Sequence, residues 1–165
     1  MVGEAGRLQV LEALRERLLA ADRVSGYNIW GFDFAVIWGV SKEEWKTPHH
    51  PDHDIAFLHR QLRPKTDDML RRIWRAAGLD PDNFVGKTHG GYSLDKIAGA
   101  TLGATKIGHG ADAPKGYQEG KIQRVVNYCA DDVALERDLT DFVSHYGYAI
   151  VKGVKLVIPP WKGGV

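Results

Sequence analysis

The sequence predicts a helix-rich α/β domain with a β-hairpin near its C-terminus. Two observations lead to this prediction. Apolar residues recur at steps of three and four along the longer segments, which is the period of an amphipathic helix. The last apolar segment is divided by a Lys-Gly pair and followed by two prolines, a pattern typical of a hairpin. With 165 residues, 44% of them hydrophobic, the chain can bury a core as a single domain of residues 1–165.

The overall charge and the cysteine content exclude several classes of protein. Lys and Arg number 22 against 21 Asp and Glu, a net charge of +1, which excludes a polybasic tail and a strongly acidic chain. Cys129 is the single cysteine, which excludes an intrachain disulfide, and its place on an apolar helix face predicts an inert core thiol. No apolar run reaches the roughly 20 residues of a membrane span, so we expect a cytoplasmic protein without membrane contact.

The first part of the chain predicts two helices with a short strand between them. Regularly spaced leucines predict a helix from Arg7 to Ala21, and residues Arg23 to Asn28 form a strand candidate. Asp33 is placed to cap a helix from Phe34 to about Val40, because its side-chain oxygen can accept free N–H groups of the first turn. Residues 41–65 are polar and carry three prolines, which predicts an irregular segment with one short helix inside it.

The second part predicts three further helices and the hairpin. Residues Thr66 to Ala77 form the first of these helices, with Thr66 as its cap and the two following aspartates at the positive end of its dipole. A second helix is predicted from Ser93 to Leu102, then a flexible Gly-rich loop over 103–116, then a long helix from about Glu119 to Tyr146. Three arginines of the first helix are a candidate phosphate-facing patch, with a solvated helix face as the favoured alternative: Arg71, Arg72 and Arg75.

Two short stretches carry residues suited to chemistry. Asp33 follows the predicted strand and lies between two phenylalanines, which holds its carboxylate at the rim of the core. Tyr128 and Asp132 are four residues apart on the long helix and share a face, where a phenol and a carboxylate can orient a metal ion and an attacking water. Each stretch alone also fits a structural role, a helix cap for Asp33 and an ordinary half-buried tyrosine with a solvated acid for the other two.

Four motifs in order resemble a known family. They are G-Y-N-x-x-x-F-D at 26–33, T-x-D-M-L at 66–70, S-L-D-x-I-A-x-A-T-L-G-x-x-K at 93–106 and Y-C-x-x-D-V at 128–133. Together they resemble the ribonuclease H-like 3′–5′ exonucleases of the DEDD superfamily. The nearest likeness is to the predicted exonuclease domains that share the proofreading pattern of family-B DNA polymerases. The resemblance covers about residues 10 to 150.

This resemblance implies a fold, an activity and site residues. The fold is ribonuclease H-like, and the activity is hydrolysis of single-stranded DNA or RNA from its 3′ end with Mg²⁺ or Mn²⁺. The resemblance makes Asp33 and Asp132 the metal ligands and Tyr128 the residue that positions the attacking water. Asn28 matches a polar residue that contacts the substrate, and Asp68 matches an aspartate at a helix start with a structural role.

One motif of the family is absent from these 165 residues. The family carries Asp-x-Glu on an opening strand, and no Asp-x-Glu occurs in the sequence. We therefore expect a fold without its first strands and without half of the metal-binding carboxylates. Two-metal hydrolysis requires both ions to be clamped, and the two remaining carboxylates are a poor clamp for two ions. Three explanations stay open: a truncated enzyme, a catalytically dead module that binds nucleic acid or assembles, and a homo-oligomer or partner chain that covers the exposed sheet edge.

A histidine-rich segment offers a rival metal site. His49, His50, His53 and His59 lie close together with two aspartates, and histidine is a common ligand of Zn²⁺ and Ni²⁺. The segment has no HExxH motif, and Pro51 interrupts any helical pair of histidines. We favour a polar surface insertion as the explanation.

Overall fold

The computed structural model describes residues 4–41, 55–82, 90–104 and 112–163. It confirms a helix-rich mixed α/β chain with a C-terminal antiparallel hairpin. The helices are α1 Glu4–Ala20, α2 Asp33–Ser41, α3 Ile55–Leu62, α4 Met69–Ala76, α5 Leu94–Leu102, α6 Asp112–Gln118 and α7 Ile122–Tyr146, with a 3₁₀ turn at Arg63–Lys65. The strands are β1 Val24–Gly26, β2 Thr66–Asp68, β3 Tyr148–Val151 and β4 Val154–Val157. Within the described ranges, no helix has the length and apolar character needed to cross a membrane.

The chain divides into two compact units, each described by itself. The first unit runs to Asp68 and also includes the chain from Trp161 onward, and the second unit is Met69–Pro160. In the first unit two buried clusters form the core, and Ile37 of α2 packs against both. The buried members are Leu11 and Leu58 in one cluster and Ile29, Phe34 and Leu62 in the other. These residues confirm the amphipathic pattern of α1 and the short helix predicted within 41–65, of which residues 42–54 lie outside the described chain.

Residues Thr66 to Asp68 form a strand, which corrects the predicted helix from Thr66 to Ala77. β2 pairs in parallel with β1, with Val24 opposite Thr66 and Gly26 opposite Asp68. The Thr66 hydroxyl donates to the carbonyl oxygen of Leu62 at 2.8 Å instead of capping α4, which begins only at Met69. The aspartates that we expected at an exposed helix end are therefore buried in a strand, because pairing with a segment distant in sequence outweighs the local helical pattern.

The second unit is built from α4, α5, α6, α7 and the hairpin. Its buried residues include Ile97 and Ala98 of α5, Leu139 and Val143 of α7 and Ala149 of β3. Both α5 and α7 end at the residue that we predicted, and the glycine that follows each has a positive φ and donates its N–H to a carbonyl of the last turn. The predicted hairpin is confirmed, with a two-residue turn at Lys152-Gly153. The φ values of these residues are 50° and 78°, and a turn with positive φ at both positions matches the twist of the two strands.

Three expectations about the second unit are wrong. The loop predicted over 103–116 contains α6 from Asp112, and residues 105–111 lie outside the described chain. The apolar line of the long helix is not buried along its first half, where Val126 and Val133 are 53% and 64% exposed. Cys129 in this half is exposed as well, so it is not the core thiol that we expected.

Candidate functional site

Asp33 is the first residue of α2, close to its predicted place as a cap. The residue is exposed, and its carboxyl is bonded to its own backbone N–H. Protein atoms on one side of the carboxyl nevertheless withdraw it partly from water, and this desolvation raises the pKa of Asp33, while the backbone hydrogen bond offsets part of the rise. The structure therefore presents a carboxylate at a helix start that is open to ligands and holds its proton more tightly than an ordinary aspartate.

The loop that leads to Asp33 is held by the carboxylate of Asp68. The backbone N–H of Asn28 donates to one carboxylate oxygen at 3.0 Å, and the backbone N–H of Trp30 donates to the other at 3.2 Å. A further bond from the Phe32 N–H to the Asn28 carbonyl at 2.9 Å closes the turn. Asp68 is 5% exposed, and these donors help to stabilise its carboxylate. The resemblance implied a structural aspartate at a helix start, whereas the structure places Asp68 in β2, where it holds this loop.

Asn28 has a conformational reason for its identity besides the predicted contact with substrate. Its φ is 64°, in the left-handed region that asparagine and glycine tolerate better than other residues. A Cβ at Gly31 would overlap the side-chain amide oxygen of Asn28, so the glycine leaves room for that amide. The half-buried amide is thus held at the turn between β1 and α2.

Two substitutions at Asn28 separate these roles. We expect Asn28→Ala to lower the free energy of unfolding by about 1 kcal/mol, because alanine is strained at positive φ. Asn28→Gly removes the same amide without strain and should leave stability nearly unchanged. Urea unfolding of both variants measures the difference. Equal losses in the two variants would contradict the conformational explanation, whereas equal losses of nucleic-acid affinity in both would support the substrate contact.

Asp33→Asn is expected to change how stability depends on pH. Because the pKa of Asp33 is raised in the folded chain, the folded state retains the proton over a range in which the unfolded state has lost it. The stability of the unmodified protein should therefore fall as the pH rises from the ordinary aspartate value of 3.8 through the raised pKa. The asparagine variant lacks this loss, so its relative stability should increase over the same range.

Urea unfolding of both proteins at a series of pH values measures this difference. Measurements below pH 3.8, where aspartate is protonated in both states, provide the reference. The desolvation of Asp33 would be contradicted if the difference in free energy of unfolding between the two proteins did not vary with pH. It would also be contradicted if the unmodified protein gained stability relative to the variant as the pH rises.

Tyr128 and Asp132 lie one turn apart on α7, and both are half-buried. Tyr128 lines a cavity of about 890 Å³ between α6 and α7, and Asp131 lines the same cavity. α6 approaches α7 closely at Gly116, where an added Cβ would lie 3.1 Å from Val125. Tyr128 is therefore at the wall of a solvent-connected groove and not in the core.

The groove between α6 and α7 carries mixed charge. Its wall includes three cations and three carboxylates: Lys115, Lys121, Arg124, Asp112, Glu119 and Asp131. Glu119 pairs with Lys121 at 2.7 Å and lies 4.0 Å from Lys115. Such a wall suits a polar ligand that presents both an anionic group and hydrogen-bonding edges. This groove was not predictable from the sequence once α6 was expected to be part of a loop, although Asp112 and Pro114 are typical of a first helical turn.

The four predicted site residues fall into two pairs, one in each unit. Asn28 and Asp33 belong to one loop and helix start of the first unit, and Tyr128 and Asp132 share a face of α7 in the second. Among the residues that the structure describes, no three His, Cys, Asp or Glu side chains are grouped to hold a metal ion.

Two further candidate sites were the histidine cluster and the arginines of α4. Of the histidine cluster, only His59 is described, and its ring lies 4.8 Å from that of Trp30, while His49, His50 and His53 lie outside the described residues. The three arginines of α4 form neither the candidate phosphate patch nor the solvated face that we favoured. Arg72 is buried and donates to the carbonyl of Pro159 at 2.7 Å, and Arg71 pairs with Asp82.

Comparison with known proteins gave no match to a family model, to a curated protein or to a solved structure. An assignment of function therefore depends on the residues of the chain and on the motif resemblance.

Proposed function

We propose that this chain is a ribonuclease H-like 3′–5′ exonuclease domain that hydrolyses phosphodiester bonds of single-stranded nucleic acid with Mg²⁺ or Mn²⁺. The observation that carries the proposal is the ordered set of motifs that ends in Tyr128 and Asp132. Support comes from the placement of these two side chains on one face of α7 and from the exposed carboxyl of Asp33 at the start of α2.

The residue types fit the chemistry that the proposal requires. Carboxylate oxygens are the ligands that Mg²⁺ and Mn²⁺ prefer, and Asp33 and Asp132 supply them. A bound ion would neutralise charge on the scissile phosphate and favour deprotonation of an attacking water. The phenol of Tyr128 can hold that water by a hydrogen bond, and the amide of Asn28 can donate to a phosphate or base of the strand.

A second candidate function is a catalytically dead module that binds nucleic acid or assembles with a partner. The observation that favours it is the absence of Asp-x-Glu from the 165 residues, together with the absence of a three-ligand metal group from the described ranges. This candidate predicts salt-dependent binding of single strands that survives Asp132→Asn.

Hydrolysis of a labelled single-stranded oligonucleotide in the presence of Mn²⁺ tests the proposal. We expect cleavage by the unmodified chain and a loss of about a hundred-fold or more in Asp33→Asn, Asp132→Asn and Tyr128→Phe. Asp138→Asn is the matched control, because Asp138 is an exposed acid on the same helix that pairs with Arg137. Binding without cleavage would contradict activity of this chain and is the result expected of both a truncated enzyme and a dead module. Absence of both binding and cleavage would contradict both candidates.

A further inference from the structure

Three aromatic side chains form a surface where α7 meets β3, and we call it the aromatic surface: Phe142, Tyr146 and Tyr148. The Phe142 ring lies 4.6 Å from Tyr146 and 5.2 Å from Tyr148, and the two tyrosine rings are 6.4 Å apart. Tyr146 is 59% exposed, although a ring of this size usually gains stability from burial. The hairpin core is formed by Ala149 and Val151, so the exposed face of Tyr146 is not needed for packing.

Two lysines of the hairpin lie over rings, and one of them, Lys155, brings positive charge to the aromatic surface. The Lys155 ammonium is 3.9 Å from the ring centroid of Tyr148, and that of Lys152 is 4.6 Å from Tyr92. Neither lysine has a carboxylate partner in the ranges that the structure describes.

Two aspartates in the last turns of α7, Asp138 and Asp141, interact with a different cation, Arg137. Asp138 pairs with Arg137 at 2.8 Å, and the carboxylates of Asp138 and Asp141 together raise the pKa of Arg137. Asp138 is therefore engaged by Arg137, and because Lys155 has no carboxylate within ion-pair distance among the described residues, its charge is available to an anionic ligand.

We propose that the aromatic surface binds single-stranded nucleic acid, with a base stacked on Tyr146 and with Lys155 on an adjacent phosphate. An exposed ring beside an unneutralised cation is the combination that holds a single strand, since each base offers an apolar face and each linkage a negative charge. A duplex hides its base faces, and an acidic peptide without aromatic residues has no face to stack. The proposal deepens the proposed function and rests on it, because nucleic acid is the ligand in both of its candidate forms.

Binding of fluorescent single-stranded DNA and RNA, measured by anisotropy in excess EDTA, separates this surface from catalysis. We expect Tyr146→Ala to weaken binding about ten-fold and Tyr146→Phe to bind like the unmodified protein, because the ring and not the hydroxyl does the stacking. Tyr117→Ala is the matched control, since Tyr117 is 67% exposed on α6 and distant in sequence from the surface. Lys155→Gln should reduce the slope of log Kd against log salt by about 0.7.

The possible results separate failure of the aromatic surface from failure of the proposed function. Equal affinities of Tyr146→Ala and Tyr117→Ala overturn the aromatic surface and leave the proposed function intact. Binding of a duplex as tight as that of the single strand overturns the stacking. No binding of either strand by the unmodified protein at low salt overturns the surface and the proposed function together.

Discussion

Replacing Asp68 by alanine is expected to lower the free energy of unfolding by about 3 kcal/mol, because it removes two hydrogen bonds to a charged acceptor. The backbone N–H groups of Asn28 and Trp30 both donate to this carboxylate, which is 5% exposed. For a chain of this size, such a loss corresponds to a fall in Tm of roughly 10 °C. Asp68→Asn should cost nearly as much, since its NH₂ group would face one of the two donors.

The control for Asp68 is another aspartate in an exposed ion pair. Asp82 pairs with Arg71, and its side chain is 74% exposed, so Asp82→Asn should cost less than about 1 kcal/mol. Urea unfolding measures all three variants. If the Asp68 variants lost as little free energy of unfolding as Asp82→Asn, the loop before Asp33 would not depend on the carboxylate of Asp68.

Removing the side chain of Arg23 is expected to lower the free energy of unfolding more than removing the charge of its partner Asp67. The Asp67 side chain is fully buried, whereas the Arg23 side chain is 37% exposed and also lies 4.9 Å from the ring centroid of Trp161. Arg23→Ala leaves a buried carboxylate without this cation and should lower the free energy of unfolding by about 3 kcal/mol. Asp67→Asn leaves an arginine that water can reach, and we expect a loss of about 1 kcal/mol.

A double-mutant cycle at Arg23 and Asp67 tests this asymmetry. The double variant Arg23→Ala with Asp67→Asn should be less destabilised than the sum of the single changes, because the buried charge is then absent. Arg23→Lys keeps the charge but replaces the planar guanidinium over Trp161 by an ammonium, so an intermediate loss is expected. Equal losses in the two single variants, or strict additivity, would contradict a buried pair that depends on Arg23.

Local sequence patterns predicted the long helices and the hairpin, but not β2 or α6. The α5 and α7 helices follow from apolar spacing and from terminal glycines, which act within one or two turns. β2 depends on pairing with β1, and nothing in the local sequence around Thr66 reveals that partner. Apolar spacing also shows which residues of α7 share a face but not what covers them, which is why the exposure of Val126 and Val133 was not predicted.

The candidate site was predicted in part for the same reason. The sequence places Asp33 at a helix start and Tyr128 with Asp132 on one helix face, because these relations are local. The anchoring of the Asp33 loop by Asp68 was not predictable, since its donors lie in a segment distant in sequence. The groove beside Tyr128 likewise depends on how α6 packs against α7.

The central claim is that the chain hydrolyses single strands from the 3′ end with residues Asp33, Tyr128 and Asp132. The most direct test is to digest one oligonucleotide, labelled in separate samples at its 5′ or 3′ end, with Mn²⁺. The account predicts that the 3′ label is released first as a mononucleotide, that the 5′-labelled strand shortens stepwise, and that Asp132→Asn abolishes both while Asp138→Asn does not. Internal cuts, or cleavage that persists in Asp132→Asn, would contradict it.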